Sequence, residues 1–197
     1  MAATSKLVAR KGLASVRLRD VADATGLTSG AVLYYYDGLD ALFTAAYDRA
    51  VERFCRDREE AVAGLEDAAE RLAAAVRLGV PGGPDDAEIR LLYELEAVAF
   101  RSPECAALMA GYIERQVAMY ASVLDVGAAV GRLQLTADAR SIARNIVALE
   151  DGQGIYVLLG RDTAAEVEAR ILDYVATATG LAPAALPERG RHGTVGG

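Results

Sequence analysis

The sequence predicts an all-α protein, and three observations carry that prediction. Helix formers, alanine above all, fill a chain that holds only five prolines in 197 residues. Apolar residues recur at spacings of three and four, and no alternating run demands a strand. Glycines, prolines and capping side chains divide the chain into about nine helices. These group as a small three-helix domain over 1–44, a larger helical domain over 45–180, and a flexible tail over 181–197 rich in proline, glycine and charge.

Residues 2–11 form the first helix, with Leu7 and Val8 on its apolar face and Gly12 as its stop. Leu18, Val21 and Ala22 recur at helical spacing, so 18–25 is a short amphipathic helix. Gly26 follows, because a left-handed backbone ends a helix at little steric cost. Leu27 plugs the corner. The Thr28 hydroxyl suits an N-cap, accepting an orphan backbone N–H at the start of a second short helix over 29–36. That helix buries Val32 and Tyr36 and presents Ser29, Gly30, Leu33 and Tyr34. Two short helices joined by a glycine-containing turn make a helix-turn-helix, whose second helix enters the major groove of DNA.

Residues 37–39 break the chain, and Asp40 lies near the start of a long helix to about 63. Leu42, Phe43 and Ala46 pack back on the first domain; Val51 and Phe54 begin the next core. A helix over 65–78 precedes GVPGGP at 79–84, the strongest internal loop signal. Asp85 and Asp86 suit the positive end of a helix reaching about 100. Ser102 caps the next helix, Pro103 opens it, and it runs to about 130, where Gly131 stops it. Thr136 or Asp138 caps a helix to about 159, closed by Gly160. Asp162 or Thr163 caps the last, to about 179, closed by Gly180.

Gly12, Asp20-Val21-Ala22, Ala24-Thr25-Gly26-Leu27-Thr28, Gly30-Ala31-Val32, Tyr34-Tyr35-Tyr36 and Leu42-Phe43 together form a recognisable pattern. It resembles the N-terminal domain of the tetracycline-repressor (TetR) family of bacterial transcriptional regulators. The likeness is close over about residues 1–45, and continues in helix count and lengths. It implies an N-terminal helix-turn-helix DNA-binding domain plus a C-terminal helical ligand-binding and dimerisation domain. The function it implies is a repressor that binds a palindromic double-stranded DNA operator as a homodimer. A small-molecule effector of unknown identity would release it.

Carried over by position, Thr28, Ser29 and Gly30 approach bases or phosphates, Tyr34 and Tyr35 face the groove or backbone, and Tyr36 is structural. Three departures stand out. Arg17 occupies a position where relatives cap the second helix with Ser or Thr, so it exchanges a cap for a phosphate-attracting charge. Leu33 replaces a usual tyrosine. Leu39 replaces a usual phosphate-holding lysine, which should lower the salt slope of binding by roughly one unit. Relatives also carry a longer first helix, often after a basic arm, whereas this sequence begins partway along. From the residues alone the lesser alternative for the Tyr34–Tyr36 run is a hydrophobic helix end. The rival reading is an all-helical ligand-binding or protein-interaction module with weak or no DNA binding.

The net charge of −7 divides unevenly: residues 1–36 carry five basic residues against two acids, a net +3, which leaves −10 on the other 161. A positive head on an acidic body can be steered to DNA while the body is repelled from it. Chemistry for an enzyme is scarce. His192 is the only histidine and lies in the tail, which almost excludes a catalytic triad or a histidine metal site. No glycine-rich phosphate cradle is present, and Glu94 and Glu96, two apart on a helix, share no face. No catalytic residue, metal or cofactor is therefore expected. No apolar run approaches the ~20 residues that span a bilayer, and no leader precedes the first helix, so the expected location is the cytoplasm with no membrane partner. Cys55 and Cys105 are expected as packed thiols.

Val167, Ile171, Tyr174 and Ala178 form a stripe on the last helix, and Ile142, Ile146, Leu149, Ile155, Tyr156 and Leu159 an apolar surface on its neighbour. Ala148 and Gly152, one turn apart, would let two helix backbones approach closely; a kink or intramolecular packing is the alternative. The expected dimer interface is thus Ala148, Gly152, Tyr156, Val167, Ile171 and Tyr174, and the family resemblance implies a four-helix bundle there. Candidate ligand-binding residues are Phe54, Tyr93, Phe100, Met109, Tyr112, Gln116, Tyr120, Asn145 and Glu150, apolar walls with a few polar groups. The Glu150-Asp151 pair inside an apolar helix could attract a cation, form part of a polar face, or bond across a dimer.

Overall fold

The computed structural model describes residues 2–100, 102–182 and 186. The expected tail, His192 included, falls almost entirely outside them. Among the described residues there is no strand. The helices are α1 (Ala2–Lys11), α2 (Leu18–Thr25), α3 (Ser29–Tyr35), α4 (Gly38–Ala63), α5 (Ala68–Gly79), α6 (Ala87–Ala99), α7 (Pro103–Ala129), α8 (Ala139–Leu158) and α9 (Ala164–Thr179). A single 3-10 turn, Leu13–Ser15, joins α1 to α2.

The capping chemistry explains where the elements start. Of the alternative caps, the structure uses Asp138 for α8, whose carboxylate accepts from Ser141 N–H, and Thr163 for α9, whose hydroxyl accepts from Glu166 N–H. Thr136 instead binds the end of α9, its N–H donating to the Ala178 carbonyl at 2.9 Å. The helix expected from 65 begins three residues later, because Asp67 accepts from Ala69 and Glu70 N–H and so fixes the first turn. Tyr36 is the C-cap of α3 in extended conformation rather than its last helical residue.

The chain divides into two compact units. The first comprises Met1–Arg56 and Asp85–Glu114, the second Asp57–Pro84 and Arg115–Gly197. In the first, Val8, Val21, Val32, Leu42, Phe43 and Tyr47 share one core with Leu91 and Leu92 of α6. A three-helix head of some 45 residues buries too little surface to stand easily alone, and α6 enlarges its core. Glu94 on α6 also accepts the Leu13 N–H at 3.2 Å, anchoring the 3-10 turn. In the second unit Leu72, Val76, Leu124, Ile142, Ile146 and Ile171 are fully buried. There Arg77 pairs with the buried Glu168 at 3.0 Å. Helices α4 and α7 each supply residues to both units.

Candidate functional site

The reading head is built on α2, the turn and α3. Gly26 has φ 70°, the left-handed region, and the turn closes with Leu27 N–H donating to the Ala22 carbonyl at 3.0 Å. A side chain with a β-carbon would be strained there. Thr28 Oγ1 then accepts from Ala31 N–H at 3.1 Å and starts α3. At the start of α2, Asp20 Oδ2 accepts the Arg17 N–H at 2.9 Å, the reciprocal half of a capping box, while position 17 supplies no side-chain cap of its own. Asp20 also pairs with Lys11 at 2.5 Å. The Lys11 ammonium, with the Arg17 N–H, holds its carboxyl below the usual carboxylate range. The Arg17 side chain is left exposed.

Val32 packs into the core and Tyr36 against it, whereas Leu33, Tyr34 and Tyr35 are 50%, 82% and 72% exposed. Tyr34 and Tyr35 meet edge to face, ring centroids 5.1 Å apart. A β-carbon added at Gly30 would meet nothing closer than Thr28 Oγ1 at 4.0 Å, so the helix surface is bare beside Leu33 and Tyr34. Leu39 packs against the core of this unit, which gives its side chain a structural use.

A buried polar hub lies in the second unit. Arg58 of α4 and Glu150 of α8, each 2% exposed, pair with Nη2 at 2.8 and 3.1 Å from the two carboxylate oxygens. The same nitrogen reaches the Ala75 carbonyl of α5 at 2.8 Å and the Tyr120 hydroxyl of α7 at 2.9 Å. Tyr120 in turn donates to Glu150 at 2.6 Å, and Arg58 Nη1 donates to the Gln116 carbonyl oxygen. The Gln116 amide nitrogen is buried without a hydrogen-bond partner. Gly79 makes the approach possible: a β-carbon there would fall 2.1 Å from Glu150 Oε1 and 2.7 Å from Arg58 Nη2. Burial raises the Glu150 carboxyl to about 7, against the pull of Arg58 and Tyr120, and raises Asp151 to about 6 against Arg58.

Residues 68–180 match the C-terminal model of BetI-type transcriptional repressors, and residues 1–46 that of the bacterial regulatory proteins of the tetR family. The chain belongs to the TetR family of transcriptional regulators. Among solved structures it is similar to a transcriptional regulator from Saccharomonospora viridis in complex with choline. The two share 23% identity and a TM-score of 0.83, over 90% of this chain and 94% of that one. A TetR transcription regulator from Haloarcula marismortui has 23% identity and a TM-score of 0.80, over 90% and 95% of the two chains. The FadR regulator from Bacillus subtilis in complex with stearoyl-CoA has 15% identity and a TM-score of 0.72, over 92% and 96%. No curated protein matches the chain. No helix among the described residues is long and apolar enough to cross a membrane.

Set on the TetR fold, the residues expected at DNA fall on one short segment: Thr28 is the cap of α3, and Ser29, Gly30, Leu33, Tyr34 and Tyr35 lie on it, with Arg17 at the start of α2. The expected ligand residues fall into separate places. Gln116, Tyr120 and Glu150 meet at the hub. Phe54 and Tyr112 stack edge to face in the first unit, centroids 5.9 Å apart. Tyr93 and Met109, both partly buried, belong to the first unit as well. Phe100, just past α6, is 87% exposed. Asn145 is exposed on α8 and donates to the Tyr174 hydroxyl of α9 at 2.9 Å.

Of the expected dimer residues, Ala148, Gly152 and Tyr156 are exposed on α8, and Tyr174 is half-buried. Val167 and Ile171 are fully buried within the second unit's own core. Arg58 escaped the sequence reading, and Gly79, expected as the first residue of the 79–84 loop, is the last residue of α5. Arg58 was legible as the charged member of the stripe Val51, Cys55, Arg58, Val62, whose spacing of four, three and four is that of a buried helix face.

Proposed function

We propose that this TetR-family regulator is a repressor that binds a near-palindromic operator as a homodimer, one α3 per half-site, and lets go when a small molecule enters the second unit. The outward face of α3 carries the reading: Gly30, Leu33 and Tyr34 stand in solvent on a helix whose opposite side is locked by Val32. Exposed Lys6, Arg10, Arg17 and Arg19 in the same unit supply charge for phosphates. Pairing through the exposed Ala148, Gly152, Tyr156 and Leu159 strip of α8 would bring two heads onto one duplex. Half-sites centred about 34–36 Å apart, or a multiple, suit such a pair.

The hub of Arg58, Gln116, Tyr120 and Glu150 is the effector site we favour. A buried ion pair contributes little net stability compared with an apolar core of the same shape. Perturbed carboxyls with a spare amide donor are what a ligand site retains. The Glu150 carboxyl and the Tyr120 ring favour an organic cation, which would take the place of the Arg58 guanidinium. Choline, held by the Saccharomonospora regulator, is the first compound to titrate. Because α4 and α7 run through both units, a rearrangement of Arg58 on α4 has a covalent route to the head.

The rival reading, a ligand-binding module without a grip on DNA, draws on Leu33 and Leu39 in place of polar family residues. Footprinting of the DNA flanking the gene decides. Salt-sensitive protection of a near-palindrome, relieved by an organic cation, supports the regulator with a cation-responsive hub. Protection that no cation relieves overturns the hub as the effector site, and no protection at low salt overturns DNA binding.

A further inference from the structure

The seven residues of α3 read SGAVLYY and include no Arg, Lys, Asn, Gln, Asp, Glu or His. Specific hydrogen-bond readout of bases uses those side chains: Arg or Lys on guanine, Asn or Gln on adenine, Asp or Glu on cytosine. None of these pairings is available to this helix. The Thr28 hydroxyl accepts from Ala31 N–H and keeps only its own O–H to donate, which singles out no base. Beside the Ser29, Tyr34 and Tyr35 hydroxyls, which can donate or accept and so single out no base, the helix offers an apolar surface: Leu33 is half exposed, Leu27 in the turn is 49% exposed, and the bare surface at Gly30 lets Leu33 come close to whatever faces it. The one feature of the major groove that an apolar side chain recognises is the C5-methyl group of thymine.

We infer that Leu33 selects the operator by contact with thymine methyl groups, and that it is the main source of base discrimination in α3. The inference rests on the DNA-binding reading above and adds its chemistry. Affinity then comes from the cationic residues of the head, which see only phosphates, and specificity from burying Leu33 against methyls. The half-sites must carry thymine at the position Leu33 meets, on either strand.

The test uses the intact protein and the footprinted operator. At each thymine of the half-sites, in symmetric pairs, deoxyuridine removes only the methyl, and 5-methylcytosine opposite guanine keeps the methyl while changing the hydrogen-bonding edge. One symmetric pair should weaken binding roughly 15-fold with deoxyuridine, about fourfold for each buried methyl. The 5-methylcytosine duplex should retain most of the affinity. Leu33→Ala, whose side chain is already half in solvent, should melt like the parent. It should lose a similar factor on the thymine operator and no more when deoxyuridine is placed at that pair, because the two changes remove one contact. Equal binding of thymine and deoxyuridine operators at every position overturns the inference and leaves DNA binding standing. Full deoxyuridine sensitivity in Leu33→Ala likewise overturns it. Failure of the parent protein to bind any duplex overturns both readings together.

Discussion

Glu150 is the side chain whose chemistry departs furthest from its behaviour in water. Burial raises its carboxyl from 4.5 to about 7, so between those values the folded hub holds a proton that the unfolded chain has released. Its stabilising contribution is therefore complete below about 4.5 and is lost as the pH rises through 7. Glu150→Gln keeps the shape and cannot ionise. Urea unfolding at pH 5 and pH 8 should show the wild-type protein losing on the order of 2 kcal/mol relative to that variant. A constant difference between the two proteins would refute the assignment. Removing Arg58 instead, as Arg58→Ala, leaves a buried carboxylate without its cation and should cost about 3–5 kcal/mol at pH 8. At the other end of the chain, Thr28→Ala removes the α3 cap and should cost about 1 kcal/mol in the same assay. Residues of this kind were unevenly legible. Thr28 and Glu150 stand out from the sequence because each breaks a local pattern. Arg58 looks like any arginine of a long helix until its stripe is traced.

The helices themselves were readable from punctuation. Gly26, Pro103, Gly131 and Gly180 mark ends wherever a left-handed residue or a fixed φ is needed, and the structure places the boundaries beside them. Asp67 was missed as a cap because Leu65 already fits the apolar period of α5, and periodicity outweighed the carboxylate two residues on. The place of α6 in the core of the first unit was not legible, since an apolar stripe does not name the neighbour it will meet. At α5 the close approach of Glu150 yields a prediction opposite to propensity. Alanine normally gains about 1 kcal/mol over glycine within a helix. Gly79→Ala should instead destabilise by several kcal/mol, because its β-carbon takes the position of Glu150 Oε1. Thermal melting of the variant measures this, and a higher melting temperature would show that the hub is not held as described.

At the scale of the molecule, the charge division was readable from the sequence alone, and so were Ala148, Gly152 and Tyr156 as exposed residues for the proposed pairing, but not the burial of the α9 stripe expected beside them. The stripe of α9 that looked available for pairing is used inside the chain, at Val167 and Ile171. What remains in solvent is the α8 strip, where Gly152 has nothing within 4 Å of a would-be β-carbon. Gly152→Leu should therefore leave each chain folded while abolishing the dimer, seen as a monomer mass in sedimentation. A dimer that persists would place the interface elsewhere. The face of α3 can be tested with a single charge. Gly30→Glu puts a carboxylate on open helix surface beside Leu33 without crowding any neighbour. Titration of the labelled operator with each protein should give two wild-type chains per duplex, with an affinity that falls steeply with salt, and no specific binding by Gly30→Glu. A Gly30→Glu protein that holds the operator as tightly as the wild type would contradict the assignment of α3 as the DNA-reading helix.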